Sequence, residues 1–359
     1  TFRAVFARPT RRDLSVAVLK ATGTPTLGEA SWVHRAAQSV RERFAEAARA
    51  QLPADQAAAL PALVLGDTST LTPQTIAEFR AAGLSHLTAV SGANVTIVCG
   101  AVLLSARLVG PRMAVMVAAL TLVGFVIVVQ PSPSVLRAAV MGAIALLGVM
   151  THRRRHAMPA LATTVILLMI VAPEMAVDFG FALSVSATAA LIVIAPAWSR
   201  RLVAAGWPKP LADVVCTAAA AQLVTSPIIA GMSGRVSVIS IAANIAAFAV
   251  IPPITVIGTI AAALAPLWPG GAHLLIRFTG PELWWLLGVA HSAGGVPGAT
   301  VTVPSRLLGF LMVTACGVGA VLMWHRLRSR RWARIVFACA VLTATAWMAA
   351  SVGHGTIVG

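Results

Sequence analysis

From residue 94 onward, the chain is a series of long apolar runs separated by short polar or basic connections. The runs approach the ~20 residues that a helix needs to cross a bilayer. They lie at 94–110, 112–130, 134–150, 158–172, 179–197, 211–230, 237–251, 254–267, 304–324 and 335–350. This pattern predicts an all-α, polytopic helical membrane protein with about ten transmembrane helices, forming one membrane domain over 94–359.

Residues 31–93, ahead of these runs, have a helical pattern of a different kind. Between Val33 and Ala48, apolar residues recur at spacings of three and four, and Pro53 ends the run. Most charged side chains lie off that stripe, which is typical of a helix at a membrane interface or packed on a neighbouring helix. We interpret 31–93 as extracytoplasmic or interfacial helices that lead into the membrane.

Local signals predict two further helices. Thr72 suits an N-cap, Pro73 suits the first helical position and Gly83 suits the end, which predicts a short helix from Pro73 to Ala82. Thr279 begins a segment with two tryptophans, which we interpret as an interfacial or re-entrant helix on the outer side of the membrane.

Residues 1–30 are polar and basic, with short alternating stretches at 1–6 and 14–19. We interpret them either as the tail of a β-rich domain or as a linker. The start of the chain has no signal-like segment, and we expect the chain to be a fragment of a longer protein.

Composition and charge narrow the class of protein. Hydrophobic residues make up 58% of the 359 residues and charged residues 11%, far below the roughly 25% of soluble domains. The mean hydropathy is +0.87. A net charge of +16 in so apolar a chain must be concentrated in loops, interfaces or a polar pathway. It therefore indicates an anionic partner, either lipid headgroups, which are the default interpretation, or nucleic acid.

The basic residues are unevenly distributed between the connections. Alternate connections are arginine-rich, at 107–112, 153–155, 200–209 and 326–334, whereas those at 130–133, 173–178 and 231–235 together hold a single basic residue, Arg235. Because basic loops stay in the cytoplasm, we expect both termini of the chain to be extracytoplasmic. The four cysteines lie in apolar runs without C-x-x-C spacing, and the histidines are scattered, so no metal site or cofactor is predicted.

Four polar side chains lie inside or at the start of apolar runs, where such groups are costly and are candidates for function. Arg137 lies one turn into a run and has the alternative of extending to the outer headgroups. Asp178 lies at a helix start, where the helix dipole favours a carboxylate. Gln222 and Asn244 have the alternative of joining neighbouring helices by hydrogen bonds.

The junction between the polar and apolar parts carries a motif. Ala62–Asp67 (ALVLGD) followed by Gly83–Gly92 (GLSHLTAVSG) resembles the opening of the ComEC-type competence family, whose members form the inner-membrane channel for DNA uptake in naturally transformable bacteria. This chain has Asn94 where a histidine is common, so a role that needs an imidazole there does not transfer. Without the resemblance, the local sequence predicts that Ser91 is the N-cap of a membrane helix.

Later segments resemble the same family in the same order. They are Ser134–Ala138 (SVLRA), Asp178–Ser184 (DFGFALS, with Ala182 in place of the usual glutamine), Gln222 with Pro227, Ser240 with Asn244 and Pro252, and Pro297–Ala299 (PGA). No single motif is specific, but the ordered set from about Ala62 to Pro304 is.

The resemblance implies a multi-pass channel in the bacterial cytoplasmic (inner) membrane that imports single-stranded DNA. Its partners would be single-stranded DNA, membrane lipids and other DNA-uptake proteins. It implies no catalysis, because the zinc signature H-x-H-x-D-H of the nuclease domain that many members carry is absent from this chain. An OB-like domain that often precedes the membrane part would survive here only as a remnant within 1–30.

For this function, Arg137 is our first choice for a phosphate contact, and Gln222 and Asn244 are expected to be pore linings or helix ties. The residues expected to shape the outer mouth are Asp67, His86, Ser91 and Asn94. Asp178 repels phosphate, so we expect it to hold a broken helix or to pair with Arg137.

Two other classes of function remain open. A small-solute or ion-coupled permease would also place such polar residues in the membrane, and inverted-repeat symmetry, which would favour it, is not evident. An intramembrane serine hydrolase would use Ser91 with His86 as base, but that pair lacks an orienting acid.

Overall fold

A computed structural model describes residues 3–7, 18–22, 31–88, 90, 92–105, 110–129, 132–150 and 157–327. Ser91 and the predicted run 335–350 lie outside the described residues. In chain order, the strands are β1 Arg3–Ala7, β2 Val18–Thr22, β3 Arg235–Ser237 and β4 Thr300–Thr302. The helices are α1 Trp32–Gln51, α2 Ala54–Leu65, α3 Pro73–Ala81, α4 Ser85–Thr88, α5 Gly92–Ser105, α6 Pro111–Val129, α7 Pro133–Met150, α8 Ala157–Val171, α9 Phe179–Ala204, α10 Lys209–Ser233, α11 Ser240–Phe248, α12 Ile251–Leu264, α13 Pro269–Phe278, α14 Gly280–Gly294 and α15 Arg306–Leu327.

The described part of the chain is thus all-α apart from two antiparallel strand pairs. β1 pairs with β2, with Arg3 opposite Thr22, and β3 pairs with β4, with Arg235 opposite Thr302. A 3₁₀ turn, Pro173–Val177, precedes α9.

Four helices among the described residues are long and apolar enough to cross a membrane, namely α6, α9, α10 and α15. A fifth span results if α11 and α12 together form one broken span. The other apolar helices α2, α5, α7 and α8 are shorter. The structure therefore supports four or five spans by length and composition, and the prediction of about ten is not confirmed.

The spanning helices keep much of their surface outside the protein core. Only 6% of the residues in the apolar window of α15 are buried, and 33% of those in α6. Large apolar side chains such as Leu120 and Leu307, 74% and 69% exposed, lie on these surfaces. Because such apolar surface is unfavourable in water, we expect it to face lipid.

The helices predicted from local signals outside the apolar runs are confirmed. The Ser31 hydroxyl accepts a hydrogen bond from the His34 amide at the start of α1. The Thr72 hydroxyl accepts one from the Thr75 amide, 3.1 Å away, at the start of α3. In contrast, α2 was not predicted. It contains Pro61, which disfavours a helix interior, but Pro61 and its neighbours are buried, so tertiary packing outweighs the local penalty.

The internal contacts divide the chain into two compact units. Unit 1 comprises Thr1–Leu71, His86–Val185 and Val250–Trp284, and unit 2 comprises Thr72–Ser85, Ser186–Ala249 and Trp285–Gly359. In unit 1, α1 packs on α2, α12 and α13, and α5 packs on α6 and α7. In unit 2, α10 packs on α11 and α15.

Candidate functional site

Unit 1 contains a buried arginine in the first turns of α7. Arg137 is 5% exposed. Its Nε donates to the Ser184 hydroxyl, 2.8 Å away in α9, and its Nη1 lies 3.4 Å from the sulfur of Met141, one turn further along α7. Among the described residues, no carboxylate lies within ion-pair distance of it. A buried charge without a counter-charge is costly, so this arginine is a strong candidate for function.

The third nitrogen of the Arg137 guanidinium faces the start of α5. A Cβ atom built on Gly92 would lie 2.8 Å from Nη2 of Arg137 and 3.4 Å from Cβ of Ala138. Glycine at position 92 therefore allows the first turn of α5 to lie directly against the guanidinium. The Ser134 hydroxyl donates to the carbonyl of Val90, 3.1 Å away, which fixes the chain just before α5 to the start of α7.

Asn94, in the first turn of α5, joins two helices. It is 5% exposed, and its Nδ2 donates to the carbonyl of Leu63, 3.0 Å away. Leu63 lies in the last turn of α2, where carbonyl oxygens have no amide donor within the helix. Asn94 supplies the missing donor, so its amide ties α5 to α2.

The other residues expected at the outer mouth that the structure describes, Asp67 and His86, lie in the stretch between α2 and α5. Asp67 follows α2, and its Oδ1 accepts a hydrogen bond from the Ser69 amide, 3.1 Å away. His86 is exposed on the short helix α4. Ser91 lies outside the described residues, so its expected roles as N-cap, mouth residue or nucleophile stay predictions.

Asp178 caps the start of α9. Its Oδ1 accepts a hydrogen bond from the Phe181 amide, 2.6 Å away, directly after the 3₁₀ turn. Of its two expected roles, this geometry corresponds to holding a broken helix. The alternative, an ion pair with Arg137, is not formed in the described part of the chain, where Arg137 is directed at Ser184 instead.

In unit 2, Gln222 and Asn244 belong to one hydrogen-bond network centred on Ser240. The Ser240 hydroxyl donates to Oε1 of Gln222, 2.8 Å away, and Nδ2 of Asn244 lies 2.8 Å from the Ser240 carbonyl and 3.2 Å from its hydroxyl. Nε2 of Gln222 donates to the carbonyl of Ser237, 3.1 Å away. The network therefore ties α10, β3 and α11 together.

The end of α3 packs against the same network. Gly83 has a φ of +72°, and a Cβ atom there would collide with the Ser240 side chain. The Ser237 hydroxyl donates to the carbonyl of Ala81, 2.7 Å away. The motif glycine Gly83 is thus required both for its left-handed backbone and for its contact with Ser240.

Sequence reasoning missed the partners of its chosen residues. Ser184 closes the segment that begins at Asp178, and Ser240 precedes Asn244 by one helical turn, so both lay inside motifs that had been singled out. Their place inside these motifs was the available signal, but the sequence does not show which side chain each hydroxyl contacts. Within the described ranges, no group of three or more His, Cys, Asp or Glu side chains could hold a metal ion.

Comparisons with known proteins match this chain to one family. The family model described as "Competence protein" matches residues 63–328. ComE operon protein 3 of Bacillus subtilis (strain 168) is 26% identical over 208 residues, which cover 57% of this chain and 26% of that relative. The chain therefore spans about a quarter of the length of this curated relative. No solved structure matches. Because the family model covers well over half of the chain, the chain belongs to the competence protein family.

Proposed function

We propose that this chain acts in DNA uptake during competence and forms part of the path by which a single DNA strand crosses the inner membrane. The observation that carries the proposal is Arg137, a buried arginine without a carboxylate partner among the described residues, inside the region that the competence family model matches. Its proposed partners are single-stranded DNA, membrane lipids and other DNA-uptake proteins.

A moving polyanion needs weak contacts that do not depend on sequence, because tight sites would stall it. Arg137 offers charge-assisted donors to a phosphate. Gln222, Asn244 and Asn94 already use their amides in hydrogen bonds within the protein, which supports a role as helix ties. We propose that Asp67, His86 and Ser91 shape the outer mouth and that Asp178 is structural.

We further propose a multi-pass arrangement in the inner membrane, with the arginine-rich connections in the cytoplasm. The long apolar helices α6, α9, α10 and α15 supply spans, and the shorter apolar helices α7 and α8 must cross as a pair to place 153–155 in the cytoplasm. The connection between α9 and α10, flanked by Arg200, Arg201 and Lys209, then faces the cytoplasm.

The proposed role is that of a conduit without chemistry. Purified protein should therefore leave single- and double-stranded DNA intact, whichever divalent metal is added. Nuclease activity that copurifies with the protein and disappears on His86→Ala or Asp67→Ala would refute this part of the proposal.

The proposal is tested by deleting the gene and measuring internalised, nuclease-protected labelled DNA, with and without restoration of the native chain. DNA import that is lost on deletion and regained on restoration is the expected result. Unchanged DNA import, together with lost uptake of a small solute, would contradict it and favour a permease. Covalent labelling by a serine-reactive probe, lost on Ser91→Ala, would instead indicate a hydrolase.

A further inference from the structure

We propose that the N-terminus of α5 and the guanidinium of Arg137 form a binding site for one phosphate group. The site itself follows from the geometry of unit 1. Naming the backbone of single-stranded DNA as the source of that phosphate rests on the proposed function.

Two independent features converge at this place. The first-turn amides of α5 have no acceptor within the helix and lie at the positive end of its dipole, which favours an anion. The side chain of Arg137, 5% exposed, points its Nη2 at Gly92, the first residue of α5. A full positive charge is therefore added to the partial charge of the helix terminus.

The remaining contacts of Arg137 leave one edge of the guanidinium for a ligand. Ser184 accepts from Nε, and the sulfur of Met141 lies near Nη1. Within the described part of the chain, Nη2 has no hydrogen-bond partner and no carboxylate neutralises the charge. A phosphate would supply both the missing acceptors and the missing counter-charge, and the planar guanidinium suits its oxygens.

Gly92 lets the first turn of α5 lie directly against Nη2 of Arg137. A methyl group at position 92 would approach Nη2 to 2.8 Å, so an alanine must displace the guanidinium or cover it. Gly100 offers a matched control in the same helix, because a Cβ atom there would meet nothing within 4 Å. Gly92→Ala thus alters the proposed site while preserving the charge of Arg137.

The test measures binding to the purified protein in detergent and in nanodiscs. The probes are inorganic phosphate, a fluorescent single-stranded oligothymidine, and nanodiscs with or without anionic lipid. Gly92→Ala and Arg137→Ala should each weaken phosphate and oligonucleotide binding at least about tenfold, as expected for loss of a charge-assisted contact. Arg137→Lys should give intermediate binding, and Gly100→Ala should bind like the native protein.

The outcomes separate the site from the function. Unchanged phosphate and oligonucleotide binding by folded Gly92→Ala and Arg137→Lys proteins would overturn the site. An effect of both variants on anionic-lipid binding alone would overturn DNA as the source and identify a lipid headgroup. Phosphate binding by a native protein whose deletion leaves DNA import unchanged would support the site and contradict the proposed function.

Discussion

The Nε of Arg137 in α7 donates a hydrogen bond to the hydroxyl of Ser184 in α9, across 2.8 Å and 47 residues of chain. This bond sets the orientation of a guanidinium that the described residues leave without a carboxylate partner. It also explains why a serine closes the segment that begins at Asp178. The cap at Asp178 fixes the start of α9, and Ser184 then lies on α9 within reach of α7.

Ser184→Ala should therefore lower the free energy of unfolding by about 1–3 kcal/mol, because it leaves a buried charged donor without its acceptor. The measurement is denaturant unfolding of the purified protein. Thr121→Ala is the control, since the Thr121 hydroxyl donates to the Val117 carbonyl of its own helix, and it should change stability by less than about 0.5 kcal/mol. Equal stability of the two variants would show that the Arg137–Ser184 bond contributes nothing.

Ser240→Ala should destabilise unit 2, because its hydroxyl links Gln222 to Asn244. Combined with Gln222→Ala, it should show a coupling energy of about 0.5–3 kcal/mol, as expected for residues in one network. Ser233→Ala, at an exposed hydroxyl at the end of α10, is the control and should be additive with Gln222→Ala. If Ser240→Ala and Gln222→Ala showed no coupling energy and left stability native-like, but abolished DNA import, the pore-lining alternative would be favoured.

Unit 2 should also lose stability in acid through Glu78 in α3. Burial raises the pKa of Glu78, but hydrogen bonds from His291 and Gln74, together with the charge of His291, outweigh it and hold the pKa below its usual 4.5. A depressed pKa stabilises the fold above the unfolded-state value, and that stabilisation is lost as pH falls through the folded-state value. The stability difference between native protein and Glu78→Gln should therefore shrink below pH 4.5. Glu46→Gln, at an exposed position of α1, should follow the native curve, and a native-like curve for Glu78→Gln would contradict the expectation.

The proposed orientation predicts opposite accessibility for the two ends of α10, a helix of 25 residues and thus about 37 Å long. In a variant without the four native cysteines, Ser233→Cys should react with a membrane-impermeant thiol reagent added to intact cells. Ala205→Cys should react only after the cells are opened. The reverse pattern would invert the topology.

The sequence predicted those features that depend on residues close together in the chain, such as helix caps. Thr72 caps α3 as expected, because a cap needs only the next three residues. The positions of the apolar runs, however, did not fix where the helices begin and end. Within the run at 237–251, α11 covers only Ser240–Phe248, because the residues before it pair with β4 or turn into α11, and α12 begins at the last residue of the run.

The partners of the polar residues were beyond sequence reasoning. The types of Arg137, Gln222 and Asn244 marked them as unusual in apolar runs. The acceptors of Arg137 and Gln222, however, depend on tertiary packing that brings together positions 15 to 47 residues apart, as for Gln222 with Ser237 and Arg137 with Ser184. The contact of Gly92 with Arg137 is of the same kind, since nothing local requires glycine at a helix start.

The central claim is tested most directly by DNA import in cells that carry Arg137 variants, measured as internalised labelled DNA per unit of membrane-inserted protein. Arg137→Ala should abolish import with normal insertion, and Arg137→Lys, which keeps the charge but loses the planar fork, should retain part of it. Arg112→Ala, at an exposed arginine of α6, should import DNA like the native protein. Near-normal import by Arg137→Ala would contradict the account and remove Arg137 from the DNA path.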